Sequence, residues 1–256
     1  MVAGGAAHVS LVTGAAGALG SAIAGALLGR GGMVILSDVD EQALEAVRSQ
    51  LSEDSDRVVA IPGDVTSDSE TVELVREAIR QCGRIDACVN NAGIEGPVSP
   101  VEELDLAATR RVFEVNVFGT FRVTKEVVRH FKERGGAGRI VNIASGAGLA
   151  GNPYMSPYSA SKHAVVGFTR SIAGELAKDG IAVTAVCPGC VDSPMIDRIA
   201  DNMTICTGRP VSFVEGIPFG RYALPAEIGD VVAYLAVNAP LYLTGTTIVI
   251  DGGLRA

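Results

Sequence analysis

HVSLVTGAAGALG, residues 8–20, decides the fold. A β-branched run passes through a turn holding Gly14, Gly17 and Gly20 into a helix expected over 18–30. Glycines in such a turn let the backbone approach a phosphate closely, and the first amides of the helix meet its negative charge. Glycine-rich turns of this kind also arise for packing alone, so the surroundings must arbitrate.

Six further short apolar runs lie beyond it: MVILSD (33–38), RVVAIP (57–62), DACVNN (86–91), RIVNIAS (139–145), IAVTAVCP (181–188) and TIVIDGG (247–253). Their near-continuous apolar character suits strands covered on both faces of a parallel sheet. Helix-length amphipathic stretches separate them at about 40–52, 67–82, 102–134, 157–179 and 225–237. The expected architecture is α/β: one doubly wound domain over 1–256, a parallel sheet of about seven strands with helices on both faces. Segment 190–224 has no strand character and carries three prolines. It reads as a substrate-binding loop or lid, with a variable surface insertion as the alternative.

The 256 residues are 48% hydrophobic and 20% charged, enough to bury a large core. Lys+Arg 21 against Asp+Glu 29 gives a net charge of −8, so no nucleic-acid partner is expected. Five scattered cysteines suit reduced thiols in a cytoplasmic protein. No signal peptide is read at the start, and no apolar stretch nears the ~20 residues of a membrane span. Cys187 and Cys190 form a Cys-x-x-Cys, but His8, His130 and His163 are scattered, so no metal is expected.

Asp38 closes the second apolar run, 18 positions after Gly20, close to the spacing at which an acidic side chain meets the adenosine ribose. With Val39 and no Lys or Arg just after it, this favours NAD over NADP; capping of the next helix is the other reading. Tyr158 and Lys162, four apart, share a helix face. An ammonium beside a phenol is expected to lower the phenol pKa toward general acid/base work, unless the two are an ordinary surface pair. Ser145 ends a strand, where α/β sheets place ligands, and can donate to a substrate oxygen.

In this order TGAAGALG (13–20), GDV (63–65), NNAG (90–93), VNVFG (115–119), Ser145, YSASK (158–162), CPG (187–189) and DGG (251–253) resemble the short-chain dehydrogenase/reductase superfamily almost end to end. The resemblance implies a Rossmann-type fold and NAD(H)-dependent interconversion of a secondary alcohol and a ketone. It implies that Tyr158 moves the proton, Lys162 also holds the nicotinamide ribose, Ser145 orients substrate, and Asn116 anchors a water linking Lys162 to solvent. Cofactor contacts are implied for Gly14, Gly17, Ala18, Leu19, Gly20, Asp38 and Val39, and adenine contacts for Asp64 and Val65. Asn91, Ala92 and Gly93 would wall the ribose, and Pro188, Gly189, Val191 and Ser193 would flank nicotinamide. Ala18 departs from the family's glycine, with Gly17 expected to relieve the turn; Thr184 and Ser193 replace its usual Asn and Thr.

Candidate pocket residues are Gly146, Leu149, Asn152, Tyr154, Cys190, Met195, Ile196 and Ile199. They contain no Arg or Lys, which points to a small neutral hydrophobic alcohol or ketone. Helix 102–134 carries Leu104, Val112, Val115, Phe118, Phe121 and Val127 around much of its circumference. The family pairs this helix between subunits, so a homotetramer is expected, with 251–256 near another interface; burial within one chain is the alternative. Two other functions remain open. PYSASKHAVVGFTR (157–170) and GRYALP (220–225) resemble NADPH-dependent 3-ketoacyl or polyketide-type ketoreductases, and a dinucleotide-sensing module without chemistry would keep the same fold.

Overall fold

The computed structural model describes residues 7–51 and 57–256. Seven strands, β1 (Val9–Thr13), β2 (Met33–Ser37), β3 (Val58–Ala60), β4 (Ala87–Asn90), β5 (Gly138–Ile143), β6 (Ile181–Pro188) and β7 (Thr247–Ile250), form one sheet. Every pairing is parallel, in the order β3-β2-β1-β4-β5-β6-β7. The strands are short because each apolar run is spent once it has crossed the core. β5 stops at Ile143 and β7 at Ile250, so Ser145 and residues 251–253 stand beyond the sheet edge.

Among the described residues eight α-helices accompany the sheet: α1 (Ala18–Gly29), α2 (Glu41–Leu51), α3 (Asp68–Cys82), α4 (Leu106–Phe113), α5 (Thr120–Glu133), α6 (Ser156–Leu176), α7 (Pro194–Thr207) and α8 (Pro225–Val237). Residue 52, the expected end of α2, lies outside the described residues. On one face Ile23, Leu27, Leu44, Ile228 and Val232 of α1, α2 and α8 pack against the sheet. On the other, Leu74, Val127, Phe131 and Leu176 of α3, α5 and α6 do so. Burial of such side chains, worth about 1.5–3 kcal/mol each, fixes the doubly wound arrangement. The chain reverses direction across the sheet between β1 and β4, which opens a crevice at the strands' carboxyl ends.

Two expectations need correction. The helix expected over 102–134 starts at Leu106, where the Asp105 carboxylate accepts from the Ala107 and Ala108 amides at 2.7 and 3.1 Å. It also contains a wide π-turn at Glu114–Gly119 between α4 and α5. That turn carries Asn116, whose side chain is bonded across to Ile94 and not to its own helix. Segment 190–224, which has no strand character and reads as a loop or lid, contains the 14-residue helix α7. Pro194 stands in its first turn, where a missing N–H costs nothing, and left-handed Gly208 (φ 67°) ends it.

Candidate active site

The crevice is one cleft of about 790 Å³ lined from both halves of the sheet. At its nucleotide end Gly14 adopts φ 64°, and an added Cβ there would lie 2.7 Å from the Ala92 Cα. Gly20 is tighter, since a Cβ would sit 2.1 Å from the Gly14 carbonyl oxygen. These two glycines let α1 begin directly on the turn. Gly17, by contrast, has φ −74°, which any residue adopts, so it relieves no strain around Ala18. α1 has no side-chain cap, and its first amides stay available to an anion.

The NNAG segment is tied to this turn. Thr13 Oγ1 accepts from the Asn91 and Ala92 amides at 3.1 and 3.2 Å, and Asn91 Nδ2 donates to the Thr13 and Gly14 carbonyls at 3.1 and 2.9 Å. The Asp38 carboxylate lines the cleft, taking the Ala16 amide at 3.0 Å on one oxygen and the Asp40 amide at 3.1 Å on the other. Each oxygen keeps a lone pair for a hydroxyl. Asp64 and Val65 line the same end. The Asp64 carboxylate accepts from the Thr66 amide at 2.8 Å, which holds it in a turn.

At the other end Ser145, Tyr158 and Lys162 meet. Lys162 is 4% exposed, donates to the Ile143 carbonyl at 3.0 Å, and lies 5.7 Å from the Tyr158 ring centre. Ser145 Oγ accepts from the Ala147 amide at 3.1 Å and is hydrogen-bonded to the Tyr158 phenol. Tyr158 keeps part of its surface open to the cleft although its hydroxyl is recessed among protein atoms. Desolvation pushes that phenol up to about 12, against the bond from Ser145 that draws it down. Burial also lowers the Lys162 ammonium to about 8. The lowered phenol expected from the spacing is therefore not what the protein alone provides, because withdrawal from water outweighs the help of the Ser145 hydroxyl and the acidic Glu95 pushes the same way as burial.

Asn116, 1% exposed, does not line the cleft. Its Oδ1 accepts from the Ile94 amide at 2.8 Å, while Nδ2 donates to the Ile94 carbonyl at 2.9 Å and to Ser161 Oγ at 3.0 Å. It clamps the strand-following loop to α6 at Ser161, the residue before Lys162. Gly146, Asn152, Cys190, Met195, Ile196 and Ile199 line the cleft as expected, together with Pro188, Gly189, Val191 and Ser193. Leu149 and Tyr154 do not. Leu149 packs against Val165, Val166 and Cys187, and Tyr154 is an exposed turn residue at φ 66°. His163 is exposed and does not line the cleft, its ring bonded to the Ser159 carbonyl at 2.9 Å.

Sequence reasoning missed cleft residues from distant segments: Arg111, Met155, Arg198, Phe213, Leu254 and Arg255. The eight candidate pocket residues hold no Arg or Lys, but three arginines, Arg111, Arg198 and Arg255, line the cleft besides Lys162. For Arg198 the signal was present, since Ile196, Ile199 and Met203 recur at helical spacing after Ser193-Pro194.

Such a crevice, glycine turn against helix N-terminus with a tyrosine, a lysine and a serine meeting at the far end, is the mark of Rossmann-type oxidoreductases that use nicotinamide dinucleotides. Residues 8–204 match the short chain dehydrogenase family. The chain is 36% identical over 251 residues to diacetyl reductase, (S)-acetoin forming, of Staphylococcus epidermidis, covering 96% of this chain and 97% of that one. A variant of actinorhodin polyketide ketoreductase with NADPH superposes at TM-score 0.91 with 38% identity over 97% of both chains. NAD+-bound xylitol dehydrogenase superposes at TM-score 0.91 with 33% identity over 96% of this chain and 98% of that one. This chain belongs to the short-chain dehydrogenase/reductase family and is an oxidoreductase. Among the described residues no helix is long and apolar enough to cross a membrane.

Proposed function

We propose that the protein is an NAD(H)-dependent oxidoreductase interconverting a secondary alcohol and a ketone, with Tyr158 as the proton carrier. The observation that carries the cofactor choice is the Asp38 carboxylate in the nucleotide end of the cleft. It can accept from both hydroxyls of a ribose diol and would repel a 2′-phosphate. The donor set fits a dinucleotide: uncapped α1 amides for the pyrophosphate, Asp38 for the ribose, and Asp64 and Val65 beside the adenine. Ala18, Leu19, Val39, Ala92 and Gly93 complete that wall, with Pro188, Gly189, Val191 and Ser193 opposite them. When bound, the nicotinamide supplies the hydride.

The chain's own part is position and the proton. A phenol held at about 12 keeps its proton across neutral pH, so Tyr158 is poised to donate to a carbonyl oxygen held by the Ser145 hydroxyl. In the reverse direction it must shed that proton, which an ammonium on Lys162 favours by stabilising the phenolate. Asn116, through Ile94 and Ser161, keeps Lys162 and Tyr158 in register on α6. Segment 190–224 acts as the lid over the substrate end, supported by Met195, Ile196, Ile199 and Met203 facing the cleft. We assign the protein to the cytoplasm, in keeping with five free cysteines. A homotetramer fits Phe118, 48% exposed beside the stacked Phe121 and Phe168, although Val112, Val115 and Val127 are buried within the chain.

A second reading, an NADPH-dependent ketoreductase of acyl or polyketide substrates, is favoured by the 38% identity to the NADPH-bound polyketide ketoreductase. Nicotinamide absorbance with both cofactors, across alcohols, ketones and β-ketoacyl thioesters, separates the two. NADH-linked turnover lost by at least about 100-fold in Tyr158→Phe supports the proposal. NADPH-linked reduction confined to thioesters would replace it.

A further inference from the structure

The three arginines of the cleft are not equivalent. Arg198 on α7 is neutralised, its guanidinium gripping Glu95 through Nε at 2.5 Å and Nη2 at 3.3 Å. Arg111 stands at the nucleotide end, where Nη1 reaches Thr66 Oγ1 at 3.4 Å. Arg255, in the segment after β7, lines the cleft at the chemical end. Among the described residues it has no hydrogen bond, and no carboxylate lies within ion-pairing distance. Asp251 is the nearest acid in sequence, but it fronts a separate cavity of about 170 Å³ and accepts from the Gly253 amide at 3.1 Å.

The position of this free cation is set by Gly146, the residue after Ser145. A Cβ on Gly146 would lie 3.1 Å from Arg255 Nε and 3.2 Å from Nη2, so the guanidinium occupies the space a side chain would fill. A planar donor fork therefore packs against the residue that follows Ser145 in the chain, and both Arg255 and Ser145 line the same cleft. The same cleft is lined by the apolar Met195, Ile196, Ile199, Phe213 and Leu254. Arg255 is exposed, so water meets the fork when the cleft is empty; a substrate covering it with apolar groups would strip that water, whereas a carboxylate replaces it with two parallel charge-assisted hydrogen bonds.

We propose that Arg255 is a specificity-determining residue that binds a carboxylate on the substrate, making the preferred substrates oxo acids and hydroxy acids whose carboxylate is separated from the reacting carbon by a short chain or ring. This rests on the oxidoreductase reading above and replaces its neutral substrate with an anionic one.

The test pairs 4-oxopentanoate, 5-oxohexanoate and 4-oxocyclohexanecarboxylate with their methyl esters, in wild type, Arg255→Gln and Arg255→Lys. The acid-to-ester ratio of kcat/KM is expected to exceed tenfold for at least one pair in wild type. It should fall at least tenfold in Arg255→Gln and less in Arg255→Lys, which keeps the charge but loses the fork. A ratio indifferent to Arg255→Gln, or a wild-type preference for esters, overturns the proposal. Calorimetric binding of the unreactive cyclohexanecarboxylate, against cyclohexanecarboxamide, gives a readout independent of turnover. Carboxylate binding lost in Arg255→Gln with no turnover of any carbonyl would remove the oxidoreductase reading and keep the anion subsite; equal binding by both proteins would remove the subsite.

Discussion

Replacing Lys162 by methionine should make the cofactor-free protein more stable at neutral pH, although it removes a residue the chemistry needs. The ammonium falls from 10.5 to about 8 because it is buried against the Ile143 carbonyl with little water. At about 1.36 kcal/mol per pH unit, that displacement is about 3 kcal/mol of penalty for keeping the charge inside. Below pH about 8 both folded and unfolded chains bind the proton, so the penalty is present in full. Between about 8 and 10.5 the unfolded chain binds a proton the folded chain has released, and wild-type stability rises by up to about 1.4 kcal/mol per pH unit. Tyr158 tilts the other way only from 10 to about 12, where the folded chain keeps the proton longer, so the useful window closes near pH 10. Losing the bond to Ile143 costs Lys162→Met about 1 kcal/mol. The net gain is therefore about 2 kcal/mol at pH 7, shrinking to near zero by pH 10. Urea unfolding of both proteins at pH 7, 8, 9 and 10 reads the difference, because titrations common to both cancel. A difference that stays constant over that range, or a wild type more stable at pH 7, would refute the desolvated lysine.

Other perturbations test other parts of the cleft. Asp38→Ser should raise the NADPH-to-NADH ratio of kcat/KM at least about tenfold, since the carboxylate no longer opposes a 2′-phosphate; an unchanged ratio would remove the cofactor argument. Gly20→Ala forces a methyl to 2.1 Å from the Gly14 carbonyl oxygen, backbone that cannot step aside. Its thermal midpoint should drop by an amount corresponding to about 1–3 kcal/mol, and dinucleotide binding should weaken with it. Glu95→Gln breaks a pair that ties the loop after β4 to α7, but Arg198 is 55% exposed, so unfolding free energy should change by less than about 1 kcal/mol. The effect should appear as a raised KM with little change in kcat; a fall in kcat alone would mean the pair does not hold the lid.

The sheet was legible because strands buried on both faces leave unbroken apolar runs, and the βα alternation is written in the period of what lies between them. Ser145, Tyr158 and Lys162 were legible for a related reason: the last two share a helix face by spacing alone, and the first ends an apolar run. Helix α7 was hidden because its polarity is that of a cleft wall, with Met195, Ile196 and Ile199 turned toward a cavity and only Ile199 fully buried. The raised phenol was hidden too. Spacing reports which charge is near a tyrosine, whereas burial, the larger influence here, depends on elements far along the chain.

The charge of the substrate end was least legible, because it is a property of pairings and not of residues. Arg198 and Glu95 are 103 positions apart, and only their contact cancels one cation. Arg255 lies 109 positions from Gly146, and the missing side chain there leaves room for its guanidinium against that residue. A chain of net charge −8 repels anions at a distance, so a carboxylate substrate would gain nothing from the overall field. Its recognition must be local, from a single uncompensated fork at short range. That makes the acid-to-ester ratio a sharper probe than salt dependence: added salt screens the repulsive far field and the attractive contact together, while Arg255→Gln removes the contact alone.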